Sequence, residues 1–437
     1  MTAIVILAYL VTLGAGLFLR ALNLRHLKQH GSTVPPGFEG AVEPETLRRT
    51  VSYTLDQSRL GLAESLFDAG LLLVFLFGGL LPAYDRWVAT LADSFVLSGV
   101  LFFLGLTLIQ TILGIPFDLY GTFRLEVRYG FNATTPGLWL SDLAKSTLIA
   151  VVLSGLLVAG SFALVQWSTH FWWLWVWGFF ALVSLTFMYL SPYVIEPLFN
   201  RFEPVTEEGL EDEIRAMAER AGLTVSRVMK VDASRRSRHS NAYFTGIGRV
   251  KRIVLYDTLI RQMSHREILA VLAHEIGHWK KGHIRQRLIL TEAGALAAAW
   301  LAWKLTGWDG LPGLLGLDDA SFAARLVILG FLGSIVSFPF TPLSSWLSRR
   351  HEREADRFAT DITGDPEALA SALVKLSTEN LSNLHPHPLY AAFYYSHPPV
   401  VERVGQLRCD RLARCGPGAP GCCTLRQRPA DARHLVP

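Results

Sequence analysis

Residues 274–278 read His-Glu-Ile-Gly-His, a spacing with chemistry in it. Side chains on a helix advance by about 100° per residue, so positions four apart return to nearly one face. His274 and His278 can therefore offer two imidazole nitrogens to one Zn²⁺. Glu275 then stands beside the metal, where its carboxylate can take a proton from a water that zinc has acidified toward neutrality. The word is short, and it needs a further ligand and a helix to carry it.

Hydrolytic zinc sites use three protein ligands and keep one position open. The longer form of the motif places glycine at 281 and histidine at 284, but Lys281 and Ile284 stand there. On a continuous helix His283 lies about 140° around from His278, which removes it as a ligand. Downstream, residues 350–359 read R-H-E-R-E-A-D-R-F-A, and helical spacing puts Glu352 and Asp356 on one face with Glu354 nearly opposite. Glu352 is the expected third ligand. Asp356 is expected to accept a ring N–H from a ligating histidine and so fix its tautomer. An isolated E-x-x-x-D is ordinarily a solvated helix face; its pairing with H-E-x-x-H gives it the metal role here. His265, His351, His385 and His387 share no ligand face at useful spacing and read, like His283, as bystanders.

These groups have to be positioned by a membrane protein. The chain has 437 residues, 51% of them apolar, and its mean hydropathy is positive. Stretches without a charge run over 1–19, 69–84, 94–117 and 146–195, the last long enough to cross twice with a turn near His170. After the motif come 288–303, Ala-rich and carrying Glu292, and 326–348, closed by Arg349 and Arg350. The expected count is seven spans. The first lacks a basic leader and is followed by Arg20 and Arg25, so it reads as an uncleaved anchor. Nearly all Lys and Arg then fall on one side, with Arg86, Lys304 and Arg325 on the other. By the positive-inside rule the motif faces the cytoplasm. The net charge of +4 is an orientation signal, with no basic stripe interleaved with aromatics that would suggest nucleic acid.

In the soluble part, residues 207–222 read as a helix ended by glycine, and 227–232 as a strand. Residues 235–238 form a basic turn. Residues 242–244 and 252–256, separated by Gly246-Ile247-Gly248-Arg249, read as a β-hairpin leading into the motif helix. That helix is expected to start at Ser264, with Glu267 as its capping-box partner, and to run on into the sixth span. The four cysteines, Cys409, Cys415, Cys422 and Cys423, crowd a Pro- and Gly-rich tail without zinc-knuckle spacing. A flexible tail is expected, a palmitoylated or metal-binding one being the alternative. The division expected is 1–200 as an N-terminal membrane domain of five spans, 201–407 as a zinc metallopeptidase domain holding spans six (about 288–304) and seven (about 326–348), and 408–437 as a disordered tail.

With these residues in view, the chain resembles the type I CAAX prenyl endoproteases over about residues 1–407. Besides the zinc word, the resemblance rests on F-R-L-E-V-R-Y-G-F-N at 123–132 with Thr134, E-P-L-F-N at 196–200, S-R-H-S-N-A-Y-F-T-G at 237–246, K-R-I-V-L-Y-D-T-L at 251–259 and Y-S-H-P-P at 395–399. It implies a mainly α, polytopic protein with about seven transmembrane helices around an intramembrane chamber, plus a small α+β cytoplasmic zinc-peptidase domain with a β-hairpin. It also implies one Zn²⁺ on His274, His278 and Glu352, with Glu275 as general base and then proton donor to the leaving amine. The strand at Asn241, Ala242, Tyr243 and Phe244 would pair with substrate backbone, with Asn241 able to hold the scissile carbonyl. His397 would stabilise the oxyanion, although a lone histidine before two prolines otherwise reads as turn chemistry. Tyr243 and Arg403 are given no catalytic role and read as packing and helix-surface residues.

The function expected is a membrane zinc metalloendopeptidase acting on a peptide or protein substrate, prenylated or membrane-associated, in contact with the lipid bilayer and not with nucleic acid. The composition points to a bacterial inner membrane; a eukaryotic chain would sit in the endoplasmic reticulum. Two rivals follow. One is a quality-control zinc protease on the same machinery without prenyl specificity. The other is a non-catalytic transporter or scaffold with structural zinc, which predicts four protein ligands and no open position.

Overall fold

The computed structural model describes residues 1–245 and 250–414. Five long helices come first: α1 (Thr2–His30), α2 (Pro44–Phe77), α3 (Phe95–Tyr120), α4 (Pro136–Trp167) and α5 (Trp172–Val194). A mixed segment follows, with β1 (Phe202–Pro204), α6 (Leu210–Arg220), β2 (Thr224–Val231), β3 (Ala242–Thr245), β4 (Val250–Tyr256) and α7 (His265–Lys280). The chain continues through α8 (His283–Thr306), α9 (Phe322–Ser337), α10 (Thr341–Thr363), α11 (Pro366–Glu379) and α12 (Val400–Arg414), with short helical turns between some of these.

Among the described residues seven helical stretches are long and apolar enough to cross a membrane, as the sequence predicts. They are Thr2–His30, Pro44–Phe77, Phe95–Arg128, Pro136–Trp167, Trp172–Phe199, His283–Thr306 and Phe322–Thr363. The second departs from its expected limits. The uncharged run 69–84 is broken where Gly78 caps α2 and Gly79 takes φ +82°, a conformation open to glycine, and a separate helix, Leu80–Ala89, follows. The crossing helix therefore extends upstream into residues that carry charge. Asp68 lies well inside its apolar half and is exposed, and a carboxylate at that depth faces water rather than lipid. A solid bundle would bury the inner faces of its helices. Here the apolar windows of the seven stretches are between 0% and 11% buried. The helices stand side by side as staves with their apolar flanks open, joined by a buried cluster that includes Phe102, Phe162, Ile328 and Phe331.

The soluble part closes one end of those staves. Its sheet runs in the order β1-β2-β4-β3, with β1 antiparallel to β2, β2 parallel to β4, and β3 antiparallel to β4. The expected hairpin is present, with Ala242 opposite Leu255 and Thr245 opposite Arg252. Its loop, Gly246 to Arg249, lies outside the described residues. The sheet packs on α6, α7, α11 and α12 through Ile214, Met217, Val228, Ile253, Ile268 and Val404, all buried. Phe38 and Val42, from the α1–α2 connection, enter the same core and tie the first two spans to the soluble layer. The last helix runs to Arg414, beyond Leu407, and Arg408 pairs with Glu367 at 3.0 Å and donates to the Gly37 carbonyl. Cys415, Cys422 and Cys423 lie outside the described residues.

One contact sets the geometry of the motif helix. α7 packs lengthwise on α10, and at their crossing a Cβ on Gly277 would sit 3.0 Å from the Ala355 Cα and 3.1 Å from its carbonyl oxygen. Both are backbone atoms of a regular helix with little room to yield. The glycine inside H-E-x-x-H is thus what lets the two histidines reach the α10 carboxylates. Gly277→Val is expected to destabilise the fold by about 1–3 kcal/mol through overpacking and to lower metal content. A thermal scan of the purified protein, with metal analysis alongside, checks this.

Candidate metal centre and active site

α7 starts where its sequence says it should. Ser264 Oγ accepts from the Glu267 N–H, and the Glu267 carboxylate accepts from the Ser264 N–H at 2.8 Å, a reciprocal capping box. Glu267 is also held by Ser371 and Lys375 of α11, at 2.6 and 2.7 Å. The far end of α7 departs from expectation. The helix does not run on into the sixth span: it stops at Lys280, Gly282 takes φ +72°, and α8 begins at His283.

Two turns of α7 face two turns of α10. His274 Nε2 lies 3.2 Å from His278 Nε2 and 3.3 Å from Glu352 Oε2, and His278 Nε2 lies 3.2 Å from Glu352 Oε1. His274 and Glu352 are buried. The protons decide what this triangle is. His274 Nδ1 is 2.8 Å from Asp356 Oδ1, an acceptor, so the ring proton belongs on Nδ1 and Nε2 presents a lone pair. His278 Nδ1 faces His283 Nδ1 at 3.1 Å, and His283 Nε2 faces Glu354 Oε2 at 3.1 Å. Both contacts are satisfied when His278 donates to His283 and His283 donates to Glu354, which again leaves a lone pair on Nε2 of His278. Glu352 Oε2 is buried and makes no hydrogen bond. Lone pairs of two imidazoles and a carboxylate thus converge, an arrangement that repels itself unless a cation sits among them. Ligands of a tetrahedral ion with arms of about 2.0–2.1 Å lie about 3.3 Å apart, the spacing found here. The donor set is therefore suited to zinc.

Arg403, read from the sequence as a helix-surface residue, is instead buried at 9% exposure. Its guanidinium forks onto Asp356, Nε to Oδ2 at 2.8 Å and Nη2 to Oδ1 at 2.6 Å, and Nη1 approaches Glu352 Oε2 at 3.6 Å. Asp356 is thereby pinned from one side by Arg403 and from the other by His274. Helical spacing had no means of finding this, because the arginine comes from α12. His283 was missed for a different reason. The angular argument assumed one continuous helix, and the break at Gly282 swings His283 back against His278, with His351 stacked on it at 4.1 Å between ring centres. His283→Ala is expected to weaken metal binding about 10- to 100-fold, the usual effect of removing the partner that orients a ligand. Competition with a chelator measures it.

The remaining residues singled out in the sequence fall into two groups. Glu275 is half-buried beside the triangle and has no hydrogen-bond partner among the described residues. Burial pushes its carboxyl up from the ordinary carboxylate range, with His274 and His278 opposing. His397, on the loop before α12, brings Nε2 to 3.4 Å from Glu352 Oε1 while Nδ1 contacts Ser396 Oγ at 2.9 Å; its side chain is 61% exposed. Asn241 to Phe244 do not join the triangle. β3 is the edge strand of the sheet and packs beside α7. Asn241 is exposed and its side chain accepts from the Ala242 N–H at 2.8 Å, Ala242 is buried, Phe244 packs against the core, and Tyr243 donates to Glu196 at 2.6 Å. What this strand leaves open is its backbone edge.

Comparison with known proteins bears on both halves. Residues 23–201 match the family model described as the CAAX prenyl protease N-terminal region with five membrane helices, and residues 204–410 match peptidase family M48. The CAAX prenyl protease 1 homolog of Arabidopsis thaliana is 34% identical, the match covering 85% of this chain and 89% of that protein. CAAX prenyl protease 1 of Saccharomyces cerevisiae is 32% identical, with 88% and 90% covered. The crystal structure of S. mikatae Ste24p superposes with a TM-score of 0.85 at 28% identity, covering 92% of this chain and 98% of that one.

Proposed function

Because this chain belongs to the CAAX prenyl protease family within peptidase family M48, and is a multi-pass membrane metallopeptidase, we propose that its catalytic ion is zinc, held by His274, His278 and Glu352. The observation that carries the reading is the convergence of three lone-pair donors at 3.2–3.3 Å with a buried, unbonded Glu352 oxygen. When bound there, zinc polarises the scissile carbonyl and acidifies a water. Glu275 takes the proton from the attacking water and delivers it to the leaving amine, a task suited to a carboxyl raised by burial. His397 donates a hydrogen bond to the developing oxyanion. Asp356 holds His274 in the tautomer that frees its Nε2, and Arg403 holds Asp356. The exposed edge of β3 takes the substrate as an added strand, which orients an extended peptide whatever its side chains.

The substrate proposed is a prenylated protein ending in a CaaX tripeptide, presented from the bilayer, with the catalytic end of the protein in the cytoplasm as the distribution of Lys and Arg supports. The test uses full-length protein and a farnesylated CaaX peptide beside the same peptide with a free cysteine, products being mapped by mass spectrometry with and without a zinc chelator. Release of the C-terminal tripeptide, at least tenfold faster from the farnesylated peptide and abolished by chelation, is expected. Equal rates on the two peptides would remove prenyl recognition and leave a general membrane protease. Cleavage insensitive to chelation would remove the metal.

A further inference from the structure

A polar cavity of about 470 Å³ opens where the catalytic layer meets the spans. Its wall is built from the first turns of α4 (Thr135, Gly137, Ser141, Lys145), the turn after α5 (Pro197 to Arg201) and the loop after β2 (Arg235, Arg236). Four of the lining side chains are cations and none is an acid. Just outside, Asp142 takes up Arg236, with Nε to Oδ2 at 2.7 Å and Nη2 to Oδ1 at 3.0 Å, and Arg236 Nη1 donates to Asn200 at 3.1 Å. That pair is structural. Lys145 donates to the Leu198 carbonyl at 2.9 Å and lies near the Phe199 ring, contacts that leave its charge in place. Arg201 and Arg235 are exposed and form no ion pair among the described residues. Three uncompensated cations held around one concavity repel each other, and a fold maintains such an arrangement where an anion relieves it.

The surroundings narrow the anion. The cavity lies at the end of α4 and α5 nearest the sheet, and the adjoining helix surface is apolar and open. Leu140 is 60% exposed, Val194 55% and Leu198, which lines the cavity itself, 48%. On two membrane-crossing helices that surface faces acyl chains. Basic groups directly above an apolar strip match a phospholipid, with phosphate in the cavity and tails along the strip. We propose that this cavity binds the headgroup of a net-negative phospholipid, with Lys145, Arg201 and Arg235 as its phosphate contacts. The bound lipid would bridge the loop after β2 to the ends of α4 and α5.

Native mass spectrometry of the full-length protein, titrated with phosphatidylglycerol or phosphatidylcholine in detergent, tests the site. The wild type is expected to retain phosphatidylglycerol at least tenfold more strongly than phosphatidylcholine. The R201A/R235A variant should lose that preference, R201K/R235K should restore most of it, and R220A/R227A, which removes two exposed cations elsewhere in the same layer, should keep it. Both positions are exposed, so folding should survive, and an unchanged melting temperature verifies it. Should R201A/R235A misfold, Lys145→Ala alone is read, with a severalfold loss expected. Retention unchanged in the variant that folds, an equal loss in R220A/R227A, or equal retention of phosphatidylcholine overturns the proposal. Displacement by soluble glycerol phosphate as readily as by the lipid would make the ligand a free phosphate ester and also overturn it.

Discussion

Glu275→Gln is expected to lower kcat by a factor of about 10²–10⁴, the usual contribution of a positioned general base, while metal content stays near one ion per chain. The amide keeps the shape of the carboxylate and loses the ability to accept a proton. Glu275 stands beside the donor triangle and makes no hydrogen bond among the described residues, so the neutral amide breaks no hydrogen bond of the fold. Single-turnover cleavage of a CaaX peptide, with metal analysis on the same preparation, gives the result directly. A variant that retained both metal and wild-type kcat would assign the proton transfer to another group. One that lost the metal as well would mean that Glu275 supports the ion.

The second large effect falls on Glu352. Glu352→Ala removes the only anionic ligand of the proposed set and leaves two neutral imidazoles, so metal affinity should drop by more than about 10²-fold, beyond the range seen for outer partners, and hydrolysis with it. The buried surroundings add a stability cost. Arg403 now faces Glu352 at 3.6 Å as well as Asp356, and taking away one carboxylate leaves part of a buried cation uncompensated. Glu352→Gln separates the two consequences, since it keeps the volume and removes only the charge. Chelator competition and thermal unfolding, run on both variants, distinguish loss of ligand from loss of packing. Retention of tightly bound metal in Glu352→Ala would send the third ligand elsewhere.

What could be read from the sequence was local. The capping box at Ser264 and Glu267, the hairpin, the H-E-x-x-H face and the E-x-x-x-D face each depend on residues within a few positions of one another, where helix and strand periods operate. The seven spans were legible because long apolar runs need no context. The failures share a cause. The break at Gly79 moved the second span upstream, and the break at Gly282 undid the angular argument about His283; both turn on a positive φ that composition does not announce. Arg403 escaped because its partner Asp356 is brought to it by the packing of α12, not by spacing. Gly277 occupies a variable position of the motif, and only the crossing of α7 with α10 reveals why a side chain there is costly.

The placement of Arg403 and His397 so near the C-terminal end of the described chain bears on biogenesis. A ribosome releases residues in order, and every other part of the centre has emerged before these two. Until then Asp356 lacks the guanidinium that pins it, and the residue proposed as oxyanion donor is not yet in place. A nascent copy therefore holds its donor triangle before the Arg403 clamp arrives, and because losing an oxyanion donor costs about 10²–10³ in rate, a copy truncated before residue 397 is expected to be a much weaker protease than the full chain.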